Sequence, residues 1–195
     1  MNLSKQKILK DWVPDHAKVL DLGCGNGDLL RSLINEKSIT GFGIENDINK
    51  INECIKNDVP ILQHDIDSGL KDFFGMGFDC VIMASSIQCL RNPKNAIRDI
   101  LQIAEKCVIT IPNFGYWKIR IGLLKGRMPI SNTLPSKWFE TKNIHLCTIK
   151  DFEELCKNEN LNIIKKRYLK EDGVEIKRPK SPNFFAAEGV YLVGS

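Results

Sequence analysis

Val19-Leu20-Asp21-Leu22-Gly23-Cys24-Gly25-Asn26-Gly27-Asp28 runs from an apolar strand through a glycine turn into the start of a helix. Glycines at such a turn let the backbone bend sharply and let a ligand come close to it. The spacing is G-x-G-x-G, with Asp28 at the sixth position, whereas the dinucleotide fingerprint G-x-G-x-x-G places its third glycine there. In that fingerprint a pyrophosphate rests on the helix N-terminus. Asp21 and Asp28 would repel a pyrophosphate and would suit a ligand that carries an amino group and a sulfonium.

Outward from this turn, apolar runs alternate with helical patterns. Strands are expected at Lys18–Leu22, Ile39–Ile44, Pro60–Gln63, Phe78–Met83 and Cys107–Ile111. The fourth is a near-continuous apolar run of the kind found in central parallel strands. Between them, Ile8, Leu9, Trp12 and Val13 share a helix face, as do Leu29, Leu30, Leu33 and Ile34. Ile51, Cys54 and Ile55 mark a third helix. Asn92-Pro93 opens a fourth, with Asn as N-cap and Pro at the first helical position, and Ile97, Ile100, Leu101 and Ala104 form its inward stripe. Thr148 followed by Asp151 has the form of a capping box, opening a helix with Phe152, Leu155 and Cys156 inward. Two late strands follow, at Leu161–Leu169 and Phe184–Val193. The alternation predicts an α/β fold, a doubly wound parallel sheet closed by an antiparallel edge pair.

Two further acids stand in register with the turn. Glu45 lies 22 residues beyond Gly23, at the end of the second strand, where a carboxylate accepts hydrogen bonds from ribose hydroxyls. Asp65 ends the third strand, placed to accept a bond from an exocyclic adenine amine. Together they describe a nucleoside pocket at the carboxyl edge of the sheet. Its expected lining is Asp21, Gly23, Cys24, Gly25, Gly27, Glu45, Asn46, Asp65, Ile66 and Ala84. The ligand that best matches is S-adenosylmethionine or S-adenosylhomocysteine; a nicotinamide or flavin nucleotide, or an empty fold, matches less well. Taken singly, Asp28 and Asp65 are also ordinary helix-start or loop carboxylates.

The chain has 195 residues, 28 Lys+Arg against 24 Asp+Glu, 43% hydrophobic and 27% charged residues, within the range of ordinary globular domains. That length suits one domain spanning residues 1–195. Seven cysteines form no CxxC pair and sit mostly among apolar neighbours, which reads as reduced thiols in a cytoplasmic protein. No signal-peptide pattern opens the sequence, and no apolar run approaches the roughly 20 residues that span a bilayer. A net charge of +4 is too small to point to nucleic acid. A metal site is not expected either, since His145 and Cys147 form only an isolated H-x-C pair.

One stretch interrupts the alternation: residues 112–148 form an insert rich in Pro, Gly, Asn, Trp and basic side chains. Connections of that length in a compact domain are usually functional. Lys118, Arg120, Lys125 and Arg127 give residues 116–127 a local charge of +4. Trp117, Ile121 and Leu124 fall on one face of a short helix, which either covers the cofactor edge or forms a lid or docking face. Gln88, Asn113, Tyr116, Arg127 and His145 are candidate contacts to a methyl acceptor, none of them paired as nucleophile and base. His64 reads as a strand-end packing residue.

The whole chain resembles the class I S-adenosylmethionine-dependent methyltransferases. That resemblance implies seven strands in the order 3-2-1-4-5-7-6, with the seventh antiparallel. Ala84-Ser85-Ser86-Ile87-Gln88 replaces the Asn-Pro-Pro-Tyr motif with which some relatives methylate base or glutamine nitrogens, so that chemistry is not expected. More closely, Gly43-Ile44-Glu45, Ile87-Gln88, Arg91-Asn92-Pro93, Pro112-Asn113-Phe114-Gly115-Tyr116-Trp117, Gly126-Arg127-Met128-Pro129, Leu134-Pro135 and Asn143-Ile144-His145-Leu146-Cys147-Thr148 resemble the methionine-biosynthesis MetW family. Ser136 and Lys142 stand where that family usually has Tyr and Pro. The resemblance implies a protein of methionine synthesis that acts together with homoserine O-acetyltransferase. The alternative is a free-standing methyltransferase acting on an unidentified small molecule.

Overall fold

In the computed structural model, which describes residues 3–194, α1 (Leu3–Trp12) precedes β1 (Lys18–Leu22), α2 (Asp28–Lys37), β2 (Thr40–Glu45), α3 (Ile48–Lys56) and β3 (Ile61–Gln63). Then come β4 (Cys80–Ala84), α4 (Pro93–Ile103), β5 (Lys106–Pro112), α5 (Trp117–Leu124), α6 (Ile149–Asn158), β6 (Asn162–Leu169), α7 (Pro182–Phe185) and β7 (Glu188–Gly194). The strands form one sheet in the order β3-β2-β1-β4-β5-β7-β6, as the resemblance implied. All neighbours are parallel except β7, which runs antiparallel to both β5 and β6.

Side chains alternate across a strand, so each strand feeds two cores. Leu20, Leu22, Val81, Met83, Ile109 and Tyr191 pack on one face with Ile97 and Ile100 of α4 and Phe152 and Cys156 of α6. Val19, Ile82, Val108, Val190 and Leu192 pack on the other with Leu9 and Trp12 of α1 and Leu30 and Leu33 of α2. Both faces are covered, which is why the central strands read as continuous apolar runs. No described helix is long and apolar enough to cross a membrane.

The helix starts follow local chemistry. Thr148 and Asp151 make the expected reciprocal capping box. Asn92 does occupy the N-cap of α4, with Pro93 next, but its side chain makes no cap bond. Instead the Asp67 carboxylate accepts from the backbone amides of Arg91 and Asn92.

Two expectations are corrected. The last strand begins at Glu188, not Phe184, because Pro182 opens a helical turn that leaves Phe184 and Phe185 exposed. In α5 the buried residue is Ile119; Ile121 is exposed and Leu124 is 87% exposed. Apolar residues surround this helix, so its period does not reveal which side turns inward. Tyr116 and Ile119, with Leu134 and Ala187, form a small separate cluster under the insert.

Candidate functional site

The glycine turn follows β1. Gly23, Gly25 and Gly27 all adopt positive φ (73°, 63° and 79°), the left-handed region that side chains resist. A methyl group on Gly23 would lie 2.8 Å from Ser86 Cβ, whereas one on Gly25 would meet no atom within 4 Å. The turn is tied to β2, since Gly23 N and Cys24 N both donate to Ile44 O (2.8 and 3.1 Å).

Glu45, at the end of β2, organises the rim. Its carboxylate accepts from Gly25 N (3.0 Å), Asn46 N (3.0 Å) and Asp47 N (3.1 Å) and lies 3.5 Å from Lys50 Nζ. Four donors therefore converge on two carboxylate oxygens, so a ligand hydroxyl would take over an existing contact. Asp47 caps α3 by accepting from Asn49 N (3.1 Å). Asp65 likewise caps the short turn after β3, accepting from Asp67 N (3.1 Å), and it faces the same cavity as Glu45. Asp28 is exposed and takes a bond from Asn26 Nδ2 (2.8 Å).

These edges enclose a cavity of about 540 Å³, in the range of small-ligand pockets. Gly23, Glu45, Asn46, Asp65 and Ile66, all named from sequence, line it. Ala84 ends β4 directly before the lining residues Ser85 and Ser86. Cys24, Gly25 and Gly27 form the turn beside it. Burial pushes the Cys24 thiol up, with the Asp21 charge adding to it, so this sulfur is no thiolate nucleophile.

Asp21, expected to line the cavity, lies behind its wall instead: it is only 2% exposed, and its Oδ1 has no hydrogen-bond partner. Burial, and secondarily the charge of Glu45, raises its pKa from 3.8 to about 7. A buried carboxylate without a cation is costly, and a positively charged ligand group would relieve that cost.

The candidate acceptor contacts do not converge. The Asn113 carboxamide is wholly buried and spent on the fold: it donates to Asn183 O and Ala186 O and accepts from Gly115 N and Ile149 N. Tyr116 is packed in the cluster under the insert, and Arg127 is exposed. Gln88 and His145 line a separate apolar cavity of about 180 Å³. Gln88 Oε1 is buried there without a partner, while His145 Nε2 approaches Arg91 O (3.3 Å). His64 bonds Gly69 O (2.8 Å) and packs edge-on against Phe73, yet it also lines the large cavity.

Nothing in the sequence signals how the insert reaches this cavity. Lys142 Nζ contacts Asp47 Oδ2 (3.3 Å), and Ile144 N and His145 N both donate to Gln88 O (2.9 and 3.0 Å). Lys142 and Ile144 thereby become part of its lining. The basic cluster is less free than its charge suggested. Lys118 pairs with Glu171 (2.6 Å), and Arg120 donates to Gly115 O (2.6 Å) and lies over the Phe184 ring.

Comparison with known proteins bears on the family and the fold. The sequence model of the family described as methionine biosynthesis protein MetW matches residues 4–193. The bifunctional methionine biosynthesis protein MetXA/MetW of Rhodopirellula baltica is 27% identical over 97% of this chain; the match spans 32% of that longer protein. A Thermotoga maritima structure, an S-adenosylmethionine-dependent methyltransferase described as a possible histamine N-methyltransferase, superposes with a TM-score of 0.71 at 15% identity. It covers 98% of this chain and 87% of its own. An S-adenosylmethionine-dependent methyltransferase from Mesorhizobium loti gives the same TM-score at 13% identity, covering 98% of both chains. At those identities the two structures speak for the fold alone.

Proposed function

This chain belongs to the methionine biosynthesis protein MetW family and has the class I methyltransferase fold, and on that premise we propose that it binds S-adenosylmethionine and acts with homoserine O-acetyltransferase in homoserine acylation. The donor set fits such a cofactor. The open space over Gly25 admits a ligand against the backbone. The orphaned carboxylate oxygen of Asp21 suits a cationic group, and Glu45 and Asp65 suit ribose and adenine donors. Bound there, S-adenosylmethionine offers a sulfonium-activated methyl group.

The partner reading rests on one observation: the insert that rims the cavity also presents the largest concentration of exposed apolar side chains. Trp138 is 70% exposed and Phe139 62%, and Leu124, Met128, Ile130, Ile144 and Leu146 join them. Aromatic side chains exposed in this way mark interaction surfaces. The relative's joint name, MetXA/MetW, places two methionine-biosynthesis parts in one polypeptide, which supports an acyltransferase as the protein that docks here.

The test is co-purification with homoserine O-acetyltransferase, followed by acetyl-transfer assays with and without this protein and with S-adenosylmethionine added. A stable complex whose rate responds to the added protein supports the proposal. No complex and no change in rate would overturn it.

A further inference from the structure

A second cavity, of about 330 Å³, opens beside the first, and Ser85 lines both. Its floor is a buried ion pair between Lys5 of α1 and Glu188 of β7, each 8% exposed. Lys5 Nζ also donates to Ser85 Oγ (2.8 Å), which lies 3.0 Å from Thr110 Oγ1 and 3.4 Å from Glu188 Oε1. Ser85 itself is held at φ 62°, an uncommon conformation for a residue with a side chain. Strained residues cost stability and cluster where a fold serves a ligand, and a buried ion pair carries a desolvation cost of its own.

The walls are mixed in sign. Lys5 and Lys170 face Glu171, Asp172 and Glu188, and Lys118, just outside, is paired with Glu171. Counting Lys118, the charges cancel. A multiply charged anion would meet three carboxylates, and a bare cation would meet the ammonium groups. A small ligand that bears one charge of each sign meets a partner at both ends.

We propose that this cavity binds a zwitterionic α-amino acid, its carboxylate toward Lys5 and Lys170 and its ammonium toward Glu188 and the Glu171–Asp172 wall. The volume is at the lower end of ligand pockets and suits a molecule of that size. Its place as neighbour of a cofactor rests on the S-adenosylmethionine reading above; its existence as an amino-acid site does not.

The experiment is calorimetric titration of the full chain with homoserine and the common α-amino acids, alone and saturated with S-adenosylhomocysteine. Each amino acid that binds is compared with its deaminated acid and its decarboxylated amine. The expected result is binding of one or more α-amino acids that falls by about tenfold or more when either charged end is removed. Lys170→Glu, at an exposed rim position, should weaken amino-acid binding by about tenfold and leave S-adenosylhomocysteine binding unchanged. Glu188→Gln tests the floor, and should it fail to fold, Lys170→Glu decides. Overturning results are no binding of any amino acid, equal binding of the deaminated acid, or affinity indifferent to Lys170→Glu. Failure of S-adenosylhomocysteine to bind would count against the cofactor reading, and the titrations without it would still decide this one.

Discussion

Replacing Asp21 by Asn isolates the energetic cost of the buried carboxylate. Asp21 holds its proton to about pH 7 in the fold, against 3.8 for an ordinary aspartate. Below about pH 4 the folded and unfolded chains both carry this proton, and the group contributes no pH dependence. Between about 4 and 7 the unfolded chain has lost it and the fold retains it, so stability falls as pH rises. Above about 7 both are ionised and the loss is complete. A difference of about three pH units at 1.36 kcal/mol each makes the full loss about 4 kcal/mol. The amide has the same shape and no charge to bury, so Asp21→Asn should escape this loss. Urea unfolding of both proteins at several pH values from 4 to 8, without ligand, reads the effect. The expected outcome is a stability difference that shifts in favour of Asn by several kcal/mol across that window and flattens above pH 7. A difference constant from pH 4 to 8 would refute the placement of Asp21 in a dry, uncompensated environment.

Other outcomes follow from single contacts. Gly23→Ala should destabilise more than Gly25→Ala, since both face the left-handed penalty of about 1 kcal/mol but only Gly23 also collides with Ser86; chemical denaturation compares them. Thr148→Ala removes one half of the capping box and should cost about 1 kcal/mol by the same measurement. Glu45→Ala should weaken S-adenosylhomocysteine binding by about 1–3 kcal/mol in calorimetry, and an unchanged dissociation constant would remove Glu45 from the site. Trp138→Ala combined with Phe139→Ala should leave the melting temperature unchanged and abolish co-purification with the acyltransferase, because both rings are largely exposed.

The parts of this molecule that were legible in the sequence are those written in local chemistry. The glycine turn, the Thr148–Asp151 box and the apolar central strands announce themselves within a few residues. Glu45 and Asp65 were legible because a parallel sheet brings successive strand ends to one edge. The second cavity was not, since its floor joins residues 183 positions apart. A signal for it existed nonetheless. Lys5 falls on the same helical stripe as Ile8, Leu9 and Trp12, and Glu188 opens the otherwise apolar strand β7. A charge on an inward face requires a partner, although the sequence does not say which. The orientation of α5 was illegible for the opposite reason, because apolar residues on every side leave no preferred face.

The position of β7 has a consequence for how the molecule is made. Although it is the last strand in chain order, it sits between β5 and β6 and is buried along its whole length. During synthesis β6 therefore leaves the ribosome with no neighbour to pair with, and β5 keeps an open edge until residues 188–194 follow. Such open edges invite pairing with other chains. The sheet, and with it the Lys5–Glu188 floor, closes only once β7 has inserted between β5 and β6, so the second cavity is among the last parts of this fold to assemble.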